Sequence, residues 1–180
     1  MKSRPMKSGV QDAAELVAAI ERLELWHARH AQELFDAAPD TIVQAARIFL
    51  DAGSPLRQRA LRAGAAVGLS QAMVAEALDN TLRPLSVARL RSVQRSQLGH
   101  NPQARFVLPR LVFHNLAGNL FISGWESLML SALTGACSIV RMPAEDRHYA
   151  RLWVEAMARA NPAAAEAHVC LWWPHEREDL

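Results

Sequence analysis

The sequence has few of the residues that build several common kinds of functional site. Among 180 residues there are only two cysteines and eight glycines. Two cysteines exclude a disulfide scaffold and any dense cysteine-based zinc module. Neither of the glycine-rich phosphate loops, GxGxxG or GxxxxGK[ST], occurs in the chain. A self-sufficient loop of either type, for a dinucleotide or for a nucleoside triphosphate, is therefore excluded.

The sequence also lacks a strong charge of one sign and a long run of purely apolar residues. Twenty basic residues nearly balance 18 acidic ones, so the net charge is only +2 and does not favour a nucleic-acid or membrane surface. Between Arg110 and Arg141 the only acidic or basic residue is Glu126, but polar residues such as His114 and Asn119 interrupt the stretch. Burying them in lipid is costly, so we predict no membrane span. No apolar run follows the basic amino terminus, and without a secretory signal we expect a cytoplasmic protein.

The first half of the chain has apolar residues at helical spacing. The pattern predicts a helix over 16–34, a break at Pro39-Asp40 and a new helix over 41–49. Further helices are predicted after the start signals Ser54-Pro55, Gly68-Leu69-Ser70 and Pro84-Leu85-Ser86. We therefore predict a helical amino-terminal segment over residues 1–103.

The second half alternates short apolar runs with helical spacing. The runs, which we predict to be strands, cover 105–108, 110–114, 137–142 and 168–173, and the helical patterns cover 122–133 and 149–160. With the first two runs separated only by a proline, the order is β-α-β-α-β. This order is typical of a parallel, doubly wound sheet, so residues 104–180 are predicted to form the first part of a nucleotide-binding α/β domain.

Two candidate site residues follow the ends of predicted strands, where ligands bind in open α/β sheets. Asn119 follows Gly118 near a helix start, so its amide could stabilise an oxyanion, the alternative being a turn with an Asn cap. Arg141 ends the next strand and could hold a ribose or phosphate oxygen, the alternative being an exposed strand-end arginine.

Cysteine and histidine offer weaker candidates. Cys137 and Cys170 stand in apolar strands with no patterned base beside them, which favours buried structural thiols over nucleophiles. His27 and His30 have a spacing that can share a metal, but no third ligand is identifiable. We therefore predict no metal site.

The ordered set of these segments resembles the acyl-CoA reductase family, the fatty acyl-CoA reductases of bacterial luminescence operons and their relatives in the aldehyde dehydrogenase superfamily. The resemblance rests on 112–119, 133–141 and 144–146, with Gly68-Leu69-Ser70 and Gln97-Leu98-Gly99 in the expected order, and covers roughly residues 40–175. It implies a sheet of aldehyde dehydrogenase type, reduction of a long-chain acyl-CoA to a fatty aldehyde through a cysteine acyl-enzyme, and NADPH as cofactor.

The resemblance also assigns roles to individual residues. Asn119 takes the place of the superfamily's oxyanion-hole asparagine, and Arg141 that of the lysine that holds the adenosine ribose or its 2′-phosphate. Ala144 stands where a glutamate often favours NAD, which makes NADP(H) easier to accept, although a slip of one residue would place Glu145 there. Trp173 and Pro174 resemble the segment beside the adenine pocket.

The chain departs from the family pattern in ways that affect its expected activity. Arg141 replaces a lysine, and Ala136 replaces the asparagine of a Gly-Asn step. The family's catalytic cysteine and oligomerisation strands lie further along than Leu180, so we expect this chain to be an amino-terminal portion that is inactive alone. The resemblance implies a homo-oligomer at full length and an acyl-transferring or acyl-activating partner enzyme.

A second hypothesis treats the chain as a small non-enzymatic regulator. The turn at Gly68-Leu69-Ser70 could belong to a helix-turn-helix that binds nucleic acid or a protein partner. The arginines available for phosphate contacts would be Arg83, Arg89, Arg91 and Arg95. Arginines at those spacings do not form one clean helix face, so we do not expect nucleic acid as a partner.

Overall fold

A computed structural model describes residues 13–98, 108–117 and 121–173 of the chain. Six α-helices and three β-strands occur in these segments. The elements are α1 Ala13–Leu50, α2 Pro55–Ala63, α3 Gln71–Leu82, α4 Val87–Leu98, β1 Leu111–Asn115, α5 Phe121–Leu133, β2 Cys137–Arg141, α6 Tyr149–Ala160 and β3 His168–Leu171, with short 3₁₀ turns at Gly64–Val67 and Pro162–Ala165. The fold is therefore mixed α/β and mostly helical. None of the helices in the described segments is long and apolar enough to cross a membrane, as predicted.

The three strands form one parallel sheet in the order β1-β2-β3, which confirms the predicted β-α-β-α-β arrangement. The predicted strand over 105–108 is not seen at Leu108, and its other residues lie outside the described part of the chain. Neighbouring strands are in register, with Phe113 opposite Ile139 and Asn115 opposite Arg141. Because side chains alternate between faces, one face of the sheet carries Phe113, Asn115, Ile139 and Arg141, and the other carries the residues between them.

The predicted helix break at Pro39-Asp40 is wrong, because α1, which is 38 residues long, continues through Pro39. A proline inside a helix has no N–H to donate to the carbonyl four residues earlier, here that of Phe35. The side-chain amide of Gln94 donates to that carbonyl at 3.0 Å, and also to the carbonyl of Leu133 at 3.0 Å. A side chain of α4 thus replaces the hydrogen bond that Pro39 removes, a compensation from a residue 55 positions away that local sequence patterns do not reveal.

Helix α1 passes the amino end of β2 and contributes to the cores on both faces of the sheet. The part of α1 up to Leu34 packs Leu23 and Leu34 with Cys137 and Ile139 in a smaller core. The carboxyl-terminal half of α1 joins α5 and α6 in the larger core, where Phe49 lies 4.5 Å from the Trp125 ring. The division of the chain at residue 103 stays a prediction, but residues from both sides of it share these cores.

The close passage of α1 depends on Gly135, which follows α5. Its φ is +74°, a left-handed conformation that favours glycine. A Cβ at this position would lie 2.9 Å from the carbonyl oxygen of Ala31 and 3.0 Å from Cβ of Phe35. Glycine therefore lets the chain turn into β2 directly against α1. With α1 at the amino end of the strands, the predicted site residues lie at the opposite, carboxyl end.

Candidate functional site

The site is built around Arg141, the last residue of β2. Its Nη1 donates to Oδ1 of Asn115, the last residue of β1, at 3.0 Å. Its guanidinium carbon lies 5.3 Å from the centre of the Trp173 ring, within cation–π range. Asn115, at the end of β1, and Trp173, which follows β3, therefore hold the half-buried Arg141 side chain at the carboxyl end of the sheet.

Two further residues shape the surface beside Arg141. The Phe113 ring lies on the same face, 6.3 Å from the buried ring of Trp173, and is itself 52% exposed. Ala144 is exposed in the loop after β2, and so is Glu145. The structure thus places three features near the carboxyl end of the sheet. They are the Arg141 cation, the exposed Phe113 ring and a loop in which position 144 is an alanine and not a carboxylate.

The structure brings together only part of the predicted site. Arg141 ends β2, and Ala144 and Trp173 lie in the segments after β2 and β3, as the sequence predicts. Asn119 and Pro174 lie outside the described residues, so their roles stay predictions. Sequence reasoning missed Asn115 and Phe113, whose positions beside Arg141 depend on the register between β1 and β2.

The opposite face of the sheet carries a chain of hydrogen bonds that sequence reasoning also missed. Nδ1 of His114 lies 2.8 Å from Oγ of Ser127, and its Nε2 lies 3.1 Å from Oγ of Ser138. Ser138 in turn bonds Ser131 at 3.0 Å. The arrangement of serine and histidine resembles an activated nucleophile in composition. A substrate cannot reach these side chains, however, because Ser138 is fully buried and His114 is nearly fully buried. The effect of the network is to fix α5 on the sheet.

His168 lies beside this network, because it is opposite Ser138 in the register of β2 and β3. The pKa of His168 is lowered to about 4, mainly by burial and to a smaller extent by the neighbouring His114. Burial also lowers the pKa of His114 below its usual value. Both rings are therefore neutral near pH 7. A cavity beside His168 measures only about 10 Å³, which is too small for a substrate.

Both cysteines are buried and free, as predicted. Burial raises the pKa of Cys137 to about 11, and burial is also the main cause that raises the pKa of Cys170 to about 12. A thiol with such a pKa holds almost no thiolate at neutral pH, and the thiolate is the nucleophilic form. Neither cysteine therefore suits the formation of an acyl-enzyme.

Three other candidate residues from the sequence, His30, Arg83 and Arg91, contact partners outside the site around Arg141. His30 stacks against Trp26 at 3.8 Å and contacts Glu33 at 3.2 Å. No group of three metal-ligating side chains is found in the segments that the structure describes. Two of the arginines of the regulator hypothesis form ion pairs within the chain, Arg83 with Asp79 and Arg91 with Asp40.

Comparison with known proteins does not assign this chain to a family. The chain matches no protein-family model and no curated protein. The residues at the carboxyl end of the sheet are therefore the basis on which a function can be assigned.

Proposed function

We propose that this chain supplies the nucleotide-binding part of an NADPH-dependent acyl-CoA reductase with a doubly wound sheet of aldehyde dehydrogenase type. The single observation that carries the proposal is the position of Arg141. Its guanidinium is held by Asn115 and Trp173 at the carboxyl end of a parallel sheet. Ligands of open α/β sheets bind at this end.

The geometry suits the adenosine half of the cofactor. Asn115 accepts a hydrogen bond from Nη1 of Arg141, and a guanidinium at this end of the sheet suits a ribose oxygen or a 2′-phosphate. The exposed ring of Phe113 offers an apolar surface on which an adenine can stack. Trp173 is buried, so in this proposal it positions Arg141 instead of stacking on the base. Ala144 places no negative charge where a 2′-phosphate would lie.

The reaction assigned by this proposal is reduction of a long-chain acyl-CoA to a fatty aldehyde. NADPH would supply the hydride when bound. The side-chain amide of Asn119 would donate a hydrogen bond to the oxyanion that develops on the thioester carbonyl. The nucleophilic thiolate would come from a cysteine other than Cys137 and Cys170, whose raised pKa values do not suit that role.

Binding of NADPH to Arg141→Ala tests the proposal. We expect the unmodified chain to bind NADPH more tightly than NADH by isothermal titration calorimetry, since only NADPH carries the 2′-phosphate. Arg141→Ala should weaken NADPH binding by about tenfold or more, because a charge-assisted hydrogen bond is lost. Arg141→Lys should retain part of the preference for NADPH.

Arg89→Ala is the matched control, since Arg89 is exposed on α4 and its loss changes the net charge equally. Equal NADPH binding by the Arg141→Ala and Arg89→Ala variants would contradict the proposal, as would absence of NADPH binding to the unmodified chain.

A further inference from the structure

A second concentration of positive charge lies between α2 and α6, away from the face that carries Arg141. Five basic side chains line a groove of about 420 Å³: Arg59, Arg62, Arg147, His148 and Arg151. Arg59 and Arg62 are one helical turn apart on α2, Arg151 lies in the first turn of α6, and Arg147 lies in the loop just before α6. Arginines from two helices and one loop therefore line one concave surface.

Among the groove's arginines, only Arg59 forms an ion pair in the described part of the chain. Glu155 bonds Arg59 at 2.7 Å and is shared with Arg159 at 2.8 Å. The Asp146 carboxylate accepts the backbone N–H groups of His148 and Tyr149, both at 3.0 Å. Among the residues that the structure describes, no carboxylate lines the groove, and none forms an ion pair with the guanidinium of Arg62 or Arg151.

Two of the arginines are placed so that they can receive an anion. The guanidinium carbon of Arg147 lies 3.6 Å from the centre of the Trp172 ring. Stacking covers one flat side of a guanidinium and leaves its N–H edge available to an anion. Nε of Arg151 is buried without a hydrogen-bond partner in the described part of the chain. A buried donor without a partner is costly, and an anion in the groove could accept from this guanidinium.

We infer that this groove is a binding site for a small molecule that carries two or more phosphate groups. Arginine binds phosphate through paired N–H donors, and several converging arginines match more than one doubly charged group. The groove has the volume of a small-molecule site, and its concave shape fits such a ligand better than an extended nucleic-acid backbone. The inference does not depend on the proposed NADPH site, because the two sites share no residue.

Calorimetric titration with inorganic pyrophosphate, adenosine 3′,5′-bisphosphate and orthophosphate at low salt tests the inference. We expect one molecule of pyrophosphate or of the bisphosphate to bind per chain, and orthophosphate to bind more weakly. Arg62→Ala and Arg151→Ala should each weaken pyrophosphate binding by about tenfold. The exposed position of Arg62 makes its variant the safer one for folding, and a thermal melt checks both.

Two control variants separate this site from the proposed cofactor site. Arg89→Ala matches the loss of charge, and Arg141→Ala removes the cation of the other face, so both should bind pyrophosphate normally. Absence of pyrophosphate binding, or equal binding by the groove variants, would overturn the inference. So would binding of a short DNA duplex that depends on Arg62 while pyrophosphate does not bind. If NADPH binding is lost in the Arg62→Ala variant but kept in Arg141→Ala, NADPH binds in this groove and not beside Arg141. That result would contradict the proposed function.

Discussion

The buried histidines show how individual side chains set the conditions under which this fold is stable. His168 and His114 lie on the covered face of the sheet, where their neutral forms are favoured. In the unfolded chain each ring takes up a proton near pH 6.5. Below that pH the unfolded state binds more protons than the folded state, so acid favours unfolding.

We predict that the free energy of unfolding falls as the pH is lowered from about 6.5 to about 4. His168 alone should account for about 3 kcal/mol of the loss, given its pKa of about 4 in the folded chain. Urea unfolding at several pH values measures this loss. His168→Gln removes the titrating ring, so the stability of this variant should depend less steeply on pH, and His114 and His27, whose pKa values are also lowered, should contribute to the remaining slope. The same slope in both proteins would show that His168 does not control the acid response.

At the residue scale the sequence predicted part of the site and missed the rest for a physical reason. Arg141 and Trp173 follow apolar runs, so their placement at strand ends is a local property that the pattern reveals. The contacts of Arg141 with Asn115, and of His114 with Ser138, instead join residues that lie in different strands. Those contacts depend on strand register, which no local pattern in this chain specifies.

Among the elements, α1 departs most from what its sequence predicts. Local chemistry at Pro39 favours a break, but burial of Ile42 and Phe49 on one side and of Leu23 on the other favours one continuous helix. Gln94 makes this possible, because its two amide hydrogens reach the carbonyls of Phe35 and Leu133. Strands and short helices with clear boundaries were predicted well, since no such distant compensation was needed.

We predict that Gln94→Ala lowers the free energy of unfolding by about 2 kcal/mol or more, because it removes the donor from two carbonyls in a largely buried place. In a Pro39→Ala background the loss should be smaller by about 1 kcal/mol, since the restored N–H at position 39 can donate to the Phe35 carbonyl. Chemical denaturation of the four proteins gives this coupling. Gln97→Ala, an exposed change on the same helix, should cost under about 0.5 kcal/mol. Additive losses at positions 39 and 94 would contradict this explanation of the continuous helix.

For the whole molecule, the path of α1 determines where a ligand can bind. The helix packs at the amino end of β2 and joins the cores on both faces of the sheet, so it leaves the carboxyl end of β2 uncovered by α1. Two arginine–tryptophan pairs stand there, Arg141 with Trp173 and Arg147 with Trp172. The first belongs to the proposed NADPH site and the second to the arginine-lined groove.

The most direct test of the proposed function is to locate NADPH on the chain by nuclear magnetic resonance. In a ¹⁵N-labelled sample, NADPH should shift the backbone amides of Asn115 and Arg141 and the indole N–H of Trp173 along one saturating curve. The indole signals of Trp125 and Trp153, which are buried in the larger core, should stay in place. Unchanged signals at Asn115, Arg141 and Trp173 at saturating NADPH, or shifts confined to the amides of Arg62 and Arg151, would contradict the account.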